Sequence, residues 1–85
     1  MNEIKIIGIM IFDRIKEAGK TQKVLSEHAN IIKSRLGFHE VNENICSRVG
    51  VIILQLAGNA DNRNQLIEDL KQIGGIEVKD MTFNY

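Results

Sequence analysis

The hydrophobic and polar positions divide this chain into six elements. Ile4 to Phe12 reads I-K-I-I-G-I-M-I-F, with five isoleucines, one methionine and one phenylalanine in nine residues. It is far shorter than the ~20 apolar residues of a membrane helix. Its β-branched content predicts a buried strand. Taken two by two, Ile4, Ile6, Gly8, Met10 and Phe12 line one face, and Ile7, Ile9 and Ile11 line the other. Both faces are apolar, so the strand is expected at the centre of a sheet, with something covering each side.

A helix is predicted to begin between Lys16 and Thr21. Ala18, Thr21, Val24, Leu25 and His28 share one face, and Lys20, Lys23 and Glu27 lie outside it. Gly19 weakens its start by ~1 kcal/mol relative to alanine. Ala29-Asn30 is expected to end it, though Ile31 and Ile32 could extend its apolar stripe. A half-buried edge strand is then expected from Ile31 to His39, with Ile32, Ser34, Leu36 and Phe38 alternating with Lys33, Arg35, Gly37 and His39. Glu40 to Ser47 is a polar, hairpin-like connection. Arg48 to Ala57 is a second strand with two apolar faces: Val49, Val51, Ile53 and Gln55 on one, Gly50, Ile52, Leu54 and Leu56 on the other.

Gly58 to Asp61 forms a turn and helix N-cap. Leu66, Ile67, Leu70 and Ile73 follow at helical spacing, and Gly74-Gly75 stops that helix. The last strand runs from Ile76 to about Phe83, with Ile76 and Val78 on one face and Glu77, Lys79, Met81 and Phe83 on the other. The order strand, helix, strand, strand, helix, strand predicts an α+β, ferredoxin-like βαββαβ sandwich. Both helices lie on one face of a four-stranded antiparallel sheet. The expected spatial order is fourth, first, third, second, which puts the two doubly apolar strands in the middle. Two helices cover one face only. The uncovered face, with Val49, Val51, Ile53 and Gln55, is expected to bury itself in a second copy of the chain.

Composition narrows the function. Eighty-five residues make one expected domain, 1–85, with a small core that association would help. Eleven basic and eleven acidic residues give zero net charge, and the charges are interspersed. No basic stripe exists to neutralise phosphates, so direct nucleic-acid binding is not expected. No ribbon-helix-helix or helix-turn-helix is read ahead of the first strand, so a transcriptional role would need a partner. One cysteine makes no internal disulfide and cannot ligate an iron–sulfur cluster. Met1 leads into a strand-like run carrying Glu3 and Lys5, so no signal peptide is expected, and no apolar stretch suits a membrane span. A cytoplasmic location follows as an expectation.

With the elements placed, I-I-G-I-M-I-F-D-R at 6–14, N-I-I-K-S-R-L-G-F at 30–38 and I-G-G-I-E-V-K at 73–79 resemble a small bacterial family of regulators of the iron-only hydrogenase system. Its members run V-I-G-I-I-x-E-D-R, D-I-I-x-G-R-M-G-I-P and L-P-G-V-x-V-K. Phe12, Ser34 and His39 stand where the family has Glu, Gly and Pro, His28 where it usually has Tyr, and the 40–47 segment is longer. The resemblance implies an ACT-like fold, shared with the C-terminal domain of the nickel-responsive regulator, in a superfamily that oligomerises through its sheets.

Candidate chemistry is sparse. Asp13 and Arg14 close the first strand, and Arg35 and Gly37 sit on the second. Together they could hold an anionic small molecule of unknown identity; the plainer reading is a surface ion pair worth at most ~1 kcal/mol. His39 and Cys46 flank the polar connection and could offer imidazole and thiolate to a metal. Two ligands fall short of a site, so an exposed histidine and a small half-buried cysteine are the plainer reading. His28 is read as packing at the core edge. No catalytic set, Gly-rich phosphate loop, Walker motif or Cys-x-x-Cys is present, and D-R-I-K-E-A-G-K lacks the anion loop of acylphosphatases. No catalytic residue and no cofactor are expected. Three readings follow, in order: a non-enzymatic ACT-like regulatory or interaction module acting as a homodimer or homotetramer, a small-molecule or metal sensor using a subunit interface, and a small dimeric enzyme of ferredoxin-like fold.

Overall fold

A computed structural model of the chain describes residues 2–38 and 48–85. The elements run β1 (Glu3–Ile11), α1 (Arg14–Glu27), a single 3-10 turn (Ala29–Ile31), β2 (Ile32–Phe38), β3 (Gly50–Leu56), α2 (Ala60–Lys71) and β4 (Ile76–Asn84). The strands form one antiparallel sheet in the order β2-β3-β1-β4. This is the ferredoxin-like arrangement, with the two doubly apolar strands at the centre as their composition demands.

Register assigns every side chain to a face. Ile7 pairs with Leu54, and Ile9 with Ile52. These four, with Ile11 and Leu56, are buried against Leu25 of α1 and Leu66, Ile67 and Leu70 of α2. Ile76 and Val78 of β4 pack against the rim of this core. The other face carries Ile4, Ile6, Gly8 and Met10 of β1 beside Val51, Ile53 and Gln55 of β3, all half-buried. Ser34 and Leu36 of β2 extend it on one side, Glu77, Lys79, Met81 and Phe83 of β4 on the other.

Several boundaries differ from the sequence reading: β1 runs from Glu3 to Ile11 and leaves Phe12 beyond its end, and β3 ends at Leu56. Helix α1 begins at Arg14, because the Asp13 side chain accepts from the N–H groups of Ile15 and Lys16 and caps it two residues earlier than the apolar stripe suggests. Glu17 is buried along with Thr21 and Leu25, whereas Ala18 is exposed. Strand β2 starts at Ile32, not Ile31, and β3 at Gly50, not Arg48, leaving Val49 just ahead of the strand. A bulge between Ile32 and Ser34 breaks the β2 register. Ile32 therefore joins the helix side, where it packs on the core, while Ser34 and Leu36 face away from it. Gly58, at φ 79°, turns the chain after β3 where a Cβ would come within 2.9 Å of Ile31. Asn59 then caps α2 by accepting from Asn62.

The helices are tied together where α1 ends. His28, its C-cap, lies 2.7 Å from an Asp69 carboxylate oxygen on α2. His28 and Gln65 beside it hold the Asp69 carboxyl below its usual value of 3.8. On the helix side of the sheet, Lys5 does the same for Asp80 of β4 by hydrogen bond and charge. A depressed carboxylate contributes stability that is whole above its ordinary value and is lost as pH falls through the lowered one. Asp69→Asn and Asp80→Asn should thus each destabilise at neutral pH, and the gap from the parent chain should close below pH 3.8. Urea midpoints measured across that range check this; a gap independent of pH contradicts it.

Candidate functional site

Two surfaces compete for the role of functional site. The first is the sheet end where β1 runs into α1. Asp13 caps the helix, and the Arg14 N–H donates to the Arg48 carbonyl at 2.7 Å. Arg48 reaches back to Asp13 at 3.4 Å. The Arg14 stem lies flat over Gly50: a Cβ there would meet Cδ at 2.6 Å and Cγ at 2.9 Å. Beside it is an apolar hollow of about 290 Å³, lined by Ile11, Arg14, Ile15, Ala18, Gly37, Gly50, Val51 and Ile52. A glycine at 50 thus leaves a slot that fixes one arginine at the mouth of a greasy depression.

Of the four residues proposed for an anion, the structure brings Asp13, Arg14 and Gly37 together at this end. Arg35 lies two residues from Gly37 on the same side of β2, but its guanidinium donates to Gln22 of α1 at 2.7 Å. It lines a separate hollow with Leu25, Ser26, Ala29 and Ile32. Sequence reasoning passed over Arg48 and Gly50, since an arginine and a glycine at the start of a strand look like ordinary boundary residues. Arg48's contact with Asp13, 35 positions away, exists only once β3 is paired. His39 and Cys46 lie outside the described residues. Among the described residues, no group of three or more His, Cys, Asp and Glu could hold a metal ion.

The second surface is the open sheet face. Gly8 sits at its middle, opposite Ile53 on one side and Lys79 on the other. Its missing side chain leaves two shallow depressions of about 240 and 200 Å³. One is bounded by Met10, Val51, Glu77 and Lys79, the other by Ile6, Ile53, Asp80 and Met81. Around them stand Leu36, 63% exposed, Met81, 55%, and Phe83, 54%. Val51, Ile53 and Gln55 lie on this face as β3 register requires, and Val49 lies just ahead of the strand. Among the described residues, the polar side chains on this face are Ser34, Gln55 and the ion pair between Glu77 and Lys79, and the rest offers apolar contact.

The Arg14 slot makes a quantitative expectation. Gly50→Ala should displace the Arg14 side chain and cost about 1 kcal/mol, the low end for overpacking, because the obstructing atoms belong to a flexible side chain. In an Arg14→Ala background the same substitution should be close to neutral. A double-mutant cycle by urea denaturation measures this; additive costs contradict the slot.

Comparison with known proteins places the chain. The structure matches the uncharacterized protein TM1266 from Thermotoga maritima with a TM-score of 0.80 and 26% identity, covering 98% of this chain and 100% of that one. It also matches CPII, a nitrogen regulatory PII-like protein from Thiomonas intermedia K12, with a TM-score of 0.58 and 14% identity, over 99% and 96% of the two chains. A de novo designed protein, Foldit4, matches at 0.57 and 18%, over 99% of each. The last two likenesses speak for the fold. Comparison of the sequence with curated proteins finds no match. No helix among the described residues is long and apolar enough to cross a membrane. The pattern of the TM1266-like family, described as "Iron-only hydrogenase system regulator, putative", matches residues 3–80, nearly the whole chain, and the chain belongs to that family.

Proposed function

We propose that the protein is a non-enzymatic regulatory module that works as a homo-oligomer, joined through the open face of its sheet. The family supports a regulatory role. The open face carries the self-association. Four strands ~4.8 Å apart and ~7 residues long at ~3.3 Å per residue present a platform of roughly 19 by 23 Å. Its middle is Ile6, Met10, Val51 and Ile53, and its flanks are Leu36, Met81 and Phe83. Two such faces approach the ~1,000 Å² that a specific interface needs, since side chains standing proud of the sheet add area to the flat projection. The Gly8 depressions give a second copy somewhere to seat its own side chains. Balanced charge disfavours direct contact with nucleic acid, so regulation would pass through protein partners.

One observation favours a second reading, a sensor. Arg14, held over Gly50 at the mouth of an apolar hollow, suits a small molecule with an apolar body and an anionic end. CPII, of the same fold, is described bound to ADP, AMP and bicarbonate. Its low identity makes this an analogy of architecture, not of site.

Sedimentation velocity at micromolar concentration tests the main reading. The parent chain should sediment as a dimer or larger, and Ile53→Lys should reduce its mass with an unchanged circular dichroism spectrum. A monomeric parent, or an Ile53→Lys variant that keeps full mass, would refute face-to-face burial.

A further inference from the structure

Alternation along β2 is broken at one place, and the break builds a hollow. Ile32 pairs with Leu56 and Arg35 with Leu54, and both partners are buried on the helix side of the sheet. In an unbroken strand, two residues three apart point to opposite faces. The bulge between Ile32 and Ser34 brings Ile32 and Arg35 to the same side. Bulges that re-aim a side chain are over-represented beside functional sites.

Helix α1 supplies the facing wall. Gln22, Leu25 and Ser26 stand at i, i+3 and i+4, so they share one face of the helix. Ala29 of the 3-10 turn follows them. With Ile32 and Arg35 they line a depression of about 270 Å³. Its base is apolar: Leu25 is 1% exposed, and Ile32 packs on the core. Its rim is a chain of three polar groups. Arg35 Nη1 donates to Gln22 Oε1 at 2.7 Å, and Gln22 Nε2 donates to Ser26 Oγ at 3.2 Å. These two bonds set the Gln22 amide, its oxygen toward the guanidinium and its nitrogen toward the hydroxyl. None of the six lining residues is acidic. Among the described residues, no carboxylate forms an ion pair with Arg35.

We propose that this hollow binds a small aliphatic carboxylate, held at its anionic end by Arg35 and Ser26 and along its apolar body by Leu25, Ala29 and Ile32. Gln22 engages the guanidinium through Nη1; the Nε–Nη2 edge is the fork that matches a carboxylate. Ser26 Oγ accepts from Gln22 and has its own hydrogen to donate. One guanidinium and one hydroxyl suit a single negative charge. A phosphate, with about two charges and three acceptor oxygens, asks for more than one cation. The volume lies just below the ~300 Å³ at which pockets for drug-sized ligands begin, so the apolar body is short. The site shares no lining residue with the Arg14 hollow and does not depend on burial of the open face.

Titration of the full chain with isovalerate, followed by NMR, tests the site. The Arg35 Nε–H signal and the backbone amides of Ser26 and Ala29 should shift together and saturate. Half-saturation should fall on the order of 1 mM, as so small a ligand allows. Isoamyl alcohol keeps the body and lacks the charge; acetate keeps the charge and loses the body. Each should bind ~10-fold more weakly or worse. Arg35→Gln should weaken isovalerate binding to a similar extent, and so should Ala29→Leu, which fills the hollow and leaves the arginine in place. Shifts that never saturate overturn the site. Acetate binding as tightly as isovalerate overturns the apolar half of it. Saturable shifts centred on Arg14, Ala18 and Gly50 put the acid in the other hollow and overturn the assignment.

Discussion

A sheet whose two central strands are apolar on both faces has twice the surface to bury that two helices can cover. This imbalance governs the molecule. Helices α1 and α2 take Ile7, Ile9, Ile11, Ile52, Leu54 and Leu56 out of water. Placing β1 and β3 side by side then concentrates what remains, Ile4, Ile6, Met10, Val51 and Ile53, into one strip on the other side. No strand order with these helices hides both strips. On the proposed reading a second copy covers this strip; at ~25 cal/mol per Å² of apolar surface removed from water, covering it gains more than a surface ion pair contributes.

The architecture was legible because composition and topology demanded the same thing: doubly apolar runs in the middle, mixed runs at the edges. The faces of β1 and β3 followed from alternation alone. What escaped reading was set by single local contacts. Asp13 starts α1 early by capping it, and a carboxylate that closes a strand and opens a helix reads either way. The bulge at Lys33 has no marker in the sequence, yet it moves Ile32 to the core side. Glu17 is not among the residues that the helical spacing places on the apolar face. It is buried, with Oε2 lacking a hydrogen-bond partner and Lys20 3.8 Å away, because the turn at Gly75, with φ 78°, folds back onto its side chain. A helical wheel cannot foresee a turn arriving from 58 positions down the chain. The Arg14 slot was half visible: the arginine was singled out, but the glycine that makes room for it was not.

The two edges of the sheet are not alike. Strand β2 carries a bulge at Lys33 and two basic side chains, whereas β4 pairs with β1 without a break from Ile76 to Asn84. The Arg14 hollow lies against the same sheet, and its lining includes Val51 from the open-face side of β3. On the proposed reading, in which two open faces bury each other, this sets the hollow near the rim of the seam, so that a molecule bound there would act on the seam itself.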